Sequence, residues 1–284
     1  MIKPDFSQPV PADLGTVHFI GIGGSGMSGI ARILLGMGHK VTGSDLRDTS
    51  NVAALRELGA TIHIGHDASH LGNPDTVVVT SALWPTNPEY LLAQERGIPI
   101  LHRSAALAYL TTKNRLVAVA GAHGKTTSTG MVITGLLRLG VDPSFVNGGV
   151  IAELGSSSSS GKDDLFIIEA DESDGSFIAY HPHAAIVTNI EHDHVDFFAT
   201  AQEVTTVFKN FAGTIPTDGV LIYCQDDAGS RALGESTSHC ATYSYGTDSG
   251  SDLKIDQIEL KAASSRARAI WNGTDRKSTR LNSS

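Results

Sequence analysis

The sequence contains little cysteine and little positive charge. Its only two cysteines, Cys224 and Cys240, are too few for a disulfide framework or a four-ligand zinc site, which is typical of proteins in a reducing cytoplasm. The 21 lysines and arginines are outnumbered by 30 acidic residues, and the formal net charge is -9. This balance argues against a broad nucleic-acid-binding surface, although it leaves room for a local basic groove around a phosphorylated ligand. We therefore expect a cytoplasmic protein that binds no nucleic acid.

Long apolar runs are also missing. No stretch reaches the roughly 18 uninterrupted apolar residues of a membrane span, and residues 1–15 lack the apolar core of a signal peptide. We therefore expect a soluble protein that does not enter a membrane. Its 284 residues, of which 40% are hydrophobic, suffice for two α/β domains.

The segment VAVAGAHGKTT, residues 117–127, is an apolar run followed by a glycine loop where a helix should begin. N–H groups at a helix start have no intrahelical partner, so such a loop binds anionic oxygens. Lys125 adds a mobile positive charge, and Thr126 offers a hydroxyl to Mg²⁺. The usual phosphate loop has its first glycine where this chain has Val119. The alternative is an ordinary strand-to-helix turn with a surface lysine. We predict that the whole loop binds the phosphates of a nucleoside triphosphate through Gly121, Ala122, His123, Gly124, Lys125, Thr126 and Thr127.

A second glycine turn lies near the N-terminus, between an apolar strand and a helix-like segment. Its candidate ligand-binding residues are Gly21, Gly23, Gly24, Ser25 and Gly26. Asp45 follows at the end of the next strand, about 20 residues on, as in dinucleotide-binding domains. This pattern alone favours a nicotinamide or flavin ligand.

Strands alternate with helices through most of the sequence, which predicts an α/β fold with a mostly parallel sheet. An N-terminal Rossmann-like domain is expected over residues 1–112. A second, phosphate-loop domain is expected over residues 113–275, with its first helix over 125–139. The five consecutive serines at 156–160 predict a flexible surface loop.

Two further strands end in acidic segments, residues 169–174 and 191–196. In open parallel sheets the ligand lies at the carboxyl ends of the strands, so Glu169 is predicted to hold Mg²⁺ beside Thr126. His194 is predicted to hold a second divalent ion or to orient the reacting phosphate, with a structural, hydrogen-bonding histidine as the alternative. A solvated loop is the alternative for Glu169, and it fits Asp171, Glu172 and Asp174 better. The pair His192 and His194 lacks a third assured ligand, which argues against zinc.

Four motifs resemble the Mur ligase family, occur in the family's order and cover nearly the whole chain. They are His18 to Ala31, Gly121 to Thr127, Glu169 to Asp174 and Asn189 to Asp196. The first motif is the most specific and is typical of the members that add L-alanine. The phosphate loop and the last motif are shared across Mur ligases and their folate-tail relatives. Ala122 departs from the threonine that is common in the family, but this leaves the loop backbone and Lys125 in place.

The resemblance implies that the first glycine turn and Asp45 bind the UDP part of a sugar substrate rather than nicotinamide or flavin. For Asp45, capping of the next segment is an equal alternative. The implied reaction is ATP-dependent ligation of L-alanine to the carboxylate of UDP-N-acetylmuramate through an acyl phosphate, in peptidoglycan precursor synthesis. Lys125, Glu169 and His194 would be catalytic, and Thr126, Glu169 and His194 would hold Mg²⁺.

The resemblance also implies that part of the enzyme is missing. Family members continue into a C-terminal domain that closes over ATP and presents the amino acid, and none is recognisable after Thr274. We therefore expect an incomplete central domain, no C-terminal ligase domain and no activity of the chain alone. Residues 276–284 break from the preceding pattern and are expected to be a non-native or disordered tail.

Two alternatives stay open. One is a ligase that recycles murein peptides by joining a tripeptide to the same UDP-sugar, and the other is a non-catalytic module that binds nucleotide or UDP-sugar. A nicotinamide oxidoreductase would leave Lys125 and Glu169 unexplained. The sequence indicates no oligomeric state.

Overall fold

The chain forms two compact units. This computed structural model describes residues 10–112, 114–173, 175–193, 198–261, 264–271 and 274–281. The first unit comprises Met1–Arg115 and Thr129–Glu169, and the second comprises Leu116–Ser128 and Ala170–Ser284. The predicted boundary at 112/113 lies close to residues 115/116, where the chain first passes from the first unit to the second. Residues 129–169, which were expected in the second domain, belong to the first unit. The predicted domain ranges themselves remain a prediction.

The first unit is built on a five-stranded sheet in the order β3-β2-β1-β4-β5, with every neighbouring pair parallel. Its strands are β1 (Val17–Ile20), β2 (Val41–Asp45), β3 (Thr61–Ile64), β4 (Thr76–Val79) and β5 (Ile100–His102). Its helices are α1 (Ser25–Gly36), α2 (Ser50–Glu57), α3 (Pro88–Glu95) and α4 (Arg103–Thr111), with a short 3-10 helix at Ala68–His70. The α/β alternation and the parallel sheet predicted from the sequence are therefore confirmed.

Local sequence explains where these elements begin and end. All residues of β1 and β4 are buried, as expected for central strands covered on both faces. The Asn87 side chain accepts hydrogen bonds from the N–H groups of Glu89 and Tyr90, and Pro88 occupies the first helical position of α3. β1 stops at Ile20, because Gly21 has a φ of 84° and leaves the extended conformation.

The later segment of the first unit contributes β7 (Ser144–Ile151), β8 (Ser156–Ser159) and β9 (Leu165–Glu169). β7 pairs with β9 in parallel and with β8 in antiparallel orientation. The prediction of a flexible loop at the serine run is therefore wrong. Its residues pair with β7, and Ser158 is buried against α1, where Gly29 allows close approach because a Cβ there would lie 3.0 Å from Val146 Cγ1.

The second unit contains a run of strands in the order β15-β14-β13-β12-β11-β10-β6. The pairs β6-β10, β10-β11, β11-β12 and β12-β13 are parallel, and the pairs β13-β14 and β14-β15 are antiparallel. The strands are β6 (Arg115–Ala120), β10 (Ala184–Val187), β11 (Val220–Cys224), β12 (Ala241–Gly246), β13 (Leu253–Lys261), β14 (Ser264–Trp271) and β15 (Thr274–Leu281). The expectation of a disordered or non-native tail at 276–284 stays a prediction.

Helices complete the second unit. They are α6 (Ala201–Ala212) and α7 (Ala228–Ser236), with a 3-10 helix at Ser176–Ala179. The aromatic rings of Phe177, Phe208 and Phe211 pack together in its core, at centroid distances of 4.7 and 5.2 Å from Phe177. The phosphate helix, α5 (Lys125–Arg138), begins in the second unit and continues in the first.

Candidate nucleotide-binding sites

The predicted phosphate loop joins β6 to α5 in the second unit, and α5 begins at Lys125 as predicted. Gly121 has a φ of 138°, and an added Cβ would collide with Thr188 Oγ1. Gly124 has a φ of 78°. Both glycines of the loop are thus required by backbone conformation, and Gly121 also by lack of space.

Two residues after β10 hold this loop, and sequence reasoning gave neither a role. Asn189 Oδ1 accepts from the His123 N–H at 2.8 Å, its backbone oxygen accepts from the Ala122 N–H at 3.2 Å, and its Nδ2 donates to the His123 carbonyl at 3.0 Å. The Thr188 hydroxyl donates to the same carbonyl at 2.8 Å. The N–H groups of Ala122 and His123 therefore fix the loop. The N–H groups of Lys125, Thr126 and Thr127 precede the first intrahelical bond, from Ser128 N–H to the Gly124 carbonyl, and are suited to phosphate oxygens.

Lys125 lies folded back over its own loop. Its Nζ donates to the carbonyls of Gly121 at 2.7 Å and Ala122 at 3.1 Å and to Glu172 Oε1 at 3.0 Å. The side chains of Lys125 and Glu172 are only 12% and 3% exposed. The alternative of a solvated loop is therefore wrong for Glu172. Burial raises the pKa of the Glu172 carboxyl, although the hydrogen bond and charge of Lys125 oppose this.

Glu169 ends β9 in the first unit, at the carboxyl edge where the sequence predicted it. Its Oε2 accepts from the Gly148 N–H at 2.7 Å. A Cβ at position 148 would overlap the carboxylate and would lie 2.8 Å from Glu169 Cδ. The Asn147 side chain is buried and donates to the Gly149 carbonyl at 2.9 Å, within a part of β7 where the register with β8 shifts. The segment Asn147–Gly149, which the sequence gave no role, therefore orients Glu169.

The second acidic segment follows β10 and is described only in part. Glu191 Oε2 lies 3.6 Å from His123 Nε2, and both side chains are exposed. His192 Nε2 lies 3.1 Å from the Phe198 carbonyl oxygen, which gives this ring a local partner. His194, predicted to be catalytic and to bind metal, lies outside the described residues, as do Asp174 and Asp196.

The glycine turn of the first unit links β1 to α1. The N–H groups of Gly21 and Ile22 donate to the Ser44 carbonyl, and Ser25 is the first residue of α1. Gly24 is the N-cap and provides no side-chain cap. Ser25 and Gly26 therefore lie in the first turn of α1, where N–H groups suit a pyrophosphate.

Asp45 organises this turn. Its Oδ2 accepts from the Gly23 N–H at 2.8 Å and its Oδ1 from the Arg47 N–H at 3.0 Å. The cap of α2 is Thr49, whose side chain accepts from the Val52 N–H. Asp45 therefore supports the turn from the next strand, and a contact from Asp45 to a nucleotide stays a prediction.

Arg103 is a candidate that sequence reasoning missed. It is the first residue of α4, directly after β5, and its Nη1 lies 3.5 Å from where a Cβ on Gly26 would stand. A guanidinium beside the first turn of α1 suits an anionic ligand. The available signal was a basic residue at the carboxyl end of a parallel strand.

A buried polar network lies beneath the glycine turn. Glu89, at the start of α3, is fully buried, and its carboxylate bonds His18 Nε2 at 2.7 Å, Ser44 Oγ at 2.8 Å and His66 Nδ1 at 3.0 Å. Burial by itself would raise the pKa of the Glu89 carboxyl. The hydrogen bonds of His18, Ser44 and His66, together with the charge of His18, outweigh burial and lower the pKa below its ordinary value of 4.5.

Two further features, a metal-binding cluster and a membrane-spanning helix, were sought among the described residues. Among them, no group of three or more histidine, cysteine, aspartate or glutamate side chains could hold a metal ion. None of the helices in the described ranges is long and apolar enough to cross a membrane.

Two family models match this chain. The model described as Mur ligase family, catalytic domain, matches residues 16–115, and the model of the Mur ligase middle domain matches residues 119–281.

Curated relatives point to the same group. The UDP-N-acetylmuramate--L-alanine ligase of Clavibacter michiganensis subsp. michiganensis is 54% identical over 258 residues, which are 91% of this chain and 54% of the relative. The enzyme of the same name from Acidothermus cellulolyticus is 44% identical over 94% of this chain and 57% of the relative. The chain thus spans about half the length of these relatives.

Solved structures share the fold. A UDP-N-acetylmuramate-alanine ligase from Thermotoga maritima matches with a TM-score of 0.82 and 27% identity, over 95% of this chain and 61% of that one. The UDP-N-acetylmuramate:L-alanyl-gamma-D-glutamyl-meso-diaminopimelate ligase from Neisseria meningitides matches with a TM-score of 0.84 and 24% identity, over 94% of this chain and 87% of that one.

Proposed function

The chain belongs to the Mur ligase family, and from this premise we propose that it is the nucleotide-binding part of a UDP-N-acetylmuramate--L-alanine ligase. One observation carries the proposal. Lys125 opens α5 directly after a glycine loop, in a chain that is 54% identical to a ligase of this name. The substrates proposed are ATP, UDP-N-acetylmuramate and L-alanine, and the proposed place of action is the cytoplasm.

The proposed reaction has two steps. A muramyl carboxylate oxygen attacks the γ-phosphorus of ATP, and the bond from that phosphorus to the bridging oxygen breaks. ADP leaves, and an acyl phosphate is formed. The alanine amine then attacks the acyl carbon, inorganic phosphate leaves, and the amine gives up a proton as the amide forms. The first step is needed because a free carboxylate has no adequate leaving group, whereas phosphate is one.

The second unit supplies the electrostatics that the first step needs. The N–H groups of Lys125, Thr126 and Thr127 at the start of α5 bind phosphate oxygens, and the Lys125 ammonium stabilises the charge on the transferring phosphoryl group. Asn189 and Thr188 keep the loop in shape by bonding its backbone. Phosphoryl transfer depends mainly on such positioning and charge, so these residues act without covalent chemistry of their own.

Mg²⁺ fits the oxygen donors of this chain. The Thr126 hydroxyl and the Glu169 carboxylate are hard ligands of the kind that Mg²⁺ prefers, and Glu169 is already oriented by Gly148. When bound, the ion would neutralise charge on the phosphates. The role of His194 as a further ligand belongs to the same proposal.

The first unit is proposed to bind the UDP part of the sugar substrate. The uncapped start of α1, with Gly23, Gly24, Ser25 and Gly26, suits a pyrophosphate. Arg103 adds positive charge beside it. Gly21 makes the turn through its positive φ, and Asp45 supports the turn through Gly23.

Activity is tested with the chain and with a chimera that adds the remaining C-terminal part of the Clavibacter relative. We expect the chain alone to bind ATP and UDP-N-acetylmuramate without turnover. The chimera should form ADP only when both UDP-N-acetylmuramate and L-alanine are present. ADP formation with the tripeptide L-alanyl-γ-D-glutamyl-meso-diaminopimelate but not with alanine would assign a murein-recycling ligase instead. Binding without ADP formation under any condition would assign a non-catalytic module.

A further inference from the structure

The Lys125 ammonium has three hydrogen-bond donors, and all three are used inside the protein. Two go to the carbonyls of Gly121 and Ala122, and the third goes to Glu172 Oε1 at 3.0 Å. Glu172 Oε2 also lies 2.8 Å from Nζ, so both carboxylate oxygens face the ammonium. In this arrangement Lys125 has no donor left for a phosphate oxygen.

A nucleotide phosphate therefore competes with groups that already hold Lys125. The two carbonyls are neutral dipoles of the same loop and hold the ammonium weakly by comparison. Glu172 carries a full charge and is almost wholly buried, so its attraction is poorly screened by solvent. Of the three partners, Glu172 opposes the transfer of Lys125 to phosphate most.

We propose that Glu172 is a positioning residue that holds Lys125 away from the phosphate position until nucleotide arrives, and so sets the affinity of the loop for the triphosphate. This rests on the proposed ATP site. Glu172 and the phosphate bind the same ammonium, so they are coupled negatively through it. A side chain that weakens the Glu172 contact should strengthen phosphate binding, and the effect should vanish when Lys125 is absent.

The position of Glu172 gives its carboxylate a role in the loop without ligand. It lies three residues after Glu169, in the segment that follows β9, and its side chain is turned into the protein rather than toward solvent. Without Glu172, the Lys125 ammonium would be a partly buried charge held only by carbonyls. Glu172 thus gives Lys125 a defined conformation before any ligand binds.

The test measures binding of inorganic tripolyphosphate to the full 284-residue chain by calorimetry, at a pH near 8. We expect Glu172→Gln to bind roughly fivefold or more tighter than the unchanged chain. Lys125→Ala and the double variant Lys125→Ala with Glu172→Gln should bind equally weakly. Glu191→Gln is the matched control, because it removes the same charge from an exposed carboxylate beside His123 and should change affinity much less.

Each result of this test either supports the proposal or contradicts it. Equal or weaker binding by Glu172→Gln would overturn the proposal, as would an equal gain with Glu191→Gln, which would mean that only net charge matters. Failure of every variant to bind tripolyphosphate would overturn the phosphate site itself and the proposal with it.

A measurement on the unchanged chain covers the case in which Glu172→Gln does not fold. The ¹⁵Nζ resonance of Lys125 should shift when tripolyphosphate saturates the loop, because the ammonium exchanges Glu172 for phosphate. Saturation that leaves the Lys125 resonance in place would contradict the exchange.

Discussion

Lys125 is held by a buried partner, and this changes what its removal should do. Lys125→Ala leaves the Glu172 carboxylate buried without its cation, and breaking such a pair typically costs about 3 kcal/mol of unfolding free energy. We therefore expect Lys125→Ala both to lose phosphate binding and to lose stability in urea denaturation. The double variant with Glu172→Gln should recover most of the stability without recovering binding. Unchanged stability of Lys125→Ala would show that the pair contributes little to the fold.

Gly148 has a comparable relation to Glu169. An added methyl group at position 148 overlaps the Glu169 carboxylate, so Gly148→Ala should rotate that carboxylate out of place. We expect affinity for Mn²⁺ in the presence of ATP, measured by electron paramagnetic resonance, to fall roughly tenfold, as is usual when support for a metal ligand is lost. Gly135→Ala in α5 is the control, because a Cβ there meets nothing within 4 Å. Equal affinities of the two variants would remove Glu169 from the metal site or Gly148 from its support.

Glu89 should make folding stability depend on acid pH. Its pKa is lowered in the folded protein, so the unfolded chain takes up the proton more readily. The stabilisation is therefore fully present above the ordinary pKa of 4.5 and is lost as the pH falls through the lowered value.

We expect Glu89→Gln to cost about 3 kcal/mol near neutral pH, because His18 and His66 lose a charged partner in a buried network. The loss should shrink as the pH falls below the ordinary carboxyl range. Urea unfolding of both proteins across this range measures the difference, and a loss that is constant with pH would be inconsistent with a carboxylate of lowered pKa.

At the residue scale, the sequence identified groups whose chemistry is visible in their type and spacing. Lys125 and Glu169 lie at the predicted element ends because glycine loops and apolar strand runs mark those ends. The supporting partners, Asn189, Gly148 and Glu172, were beyond reach, because each contacts a residue at least 21 positions away and nothing in its own surroundings indicates the partner.

Among the elements, β8 shows how tertiary context overrides composition. A run of serines carries no hydrophobic period, so the sequence predicts a loop, yet β7 supplies a paired edge and α1 covers Ser158. Helix α7 and strand β12 were also missed, because their apolar residues are few and the helix is short. Elements with an apolar run or a clear cap, such as β1, β4 and α3, follow the alternation of strands and helices that the sequence predicts.

The burial of β8 gives a test at this scale. Ser158 is 2% exposed, and its hydroxyl has no hydrogen-bond partner among the described residues. Ser158→Ala should therefore keep or raise the unfolding free energy, by up to about 1 kcal/mol, because it removes an unsatisfied buried group. Ser159→Ala, at an exposed neighbouring position, should change stability little. A clear loss of stability in Ser158→Ala alone, measured in urea, would show that the hydroxyl is satisfied in solution.

At the scale of the whole molecule, the first unit is assembled from two separate segments. A fragment ending at Arg115 keeps the parallel sheet but lacks β7 and β8, which pack against α1. We expect this fragment to bind a hydrophobic dye and to melt at a lower temperature than a fragment ending at Glu169, as followed by circular dichroism. Equal, cooperative melting of both fragments would show that residues 1–115 form an independent domain, as the sequence predicted for residues 1–112.

The two-segment construction of the first unit also has a consequence during synthesis. When Arg115 has left the ribosome, the parallel sheet can form. The face of α1 around Gly29 is still uncovered, because β7 and β8 have not yet been translated. The phosphate loop emerges next, before the first unit is complete, and its holding residues Thr188 and Asn189 appear only after Glu169 has closed that unit. During translation the phosphate loop therefore leaves the ribosome early, and the two residues that hold it leave late. The loop is without these partners while about 60 residues are made, which takes on the order of several seconds.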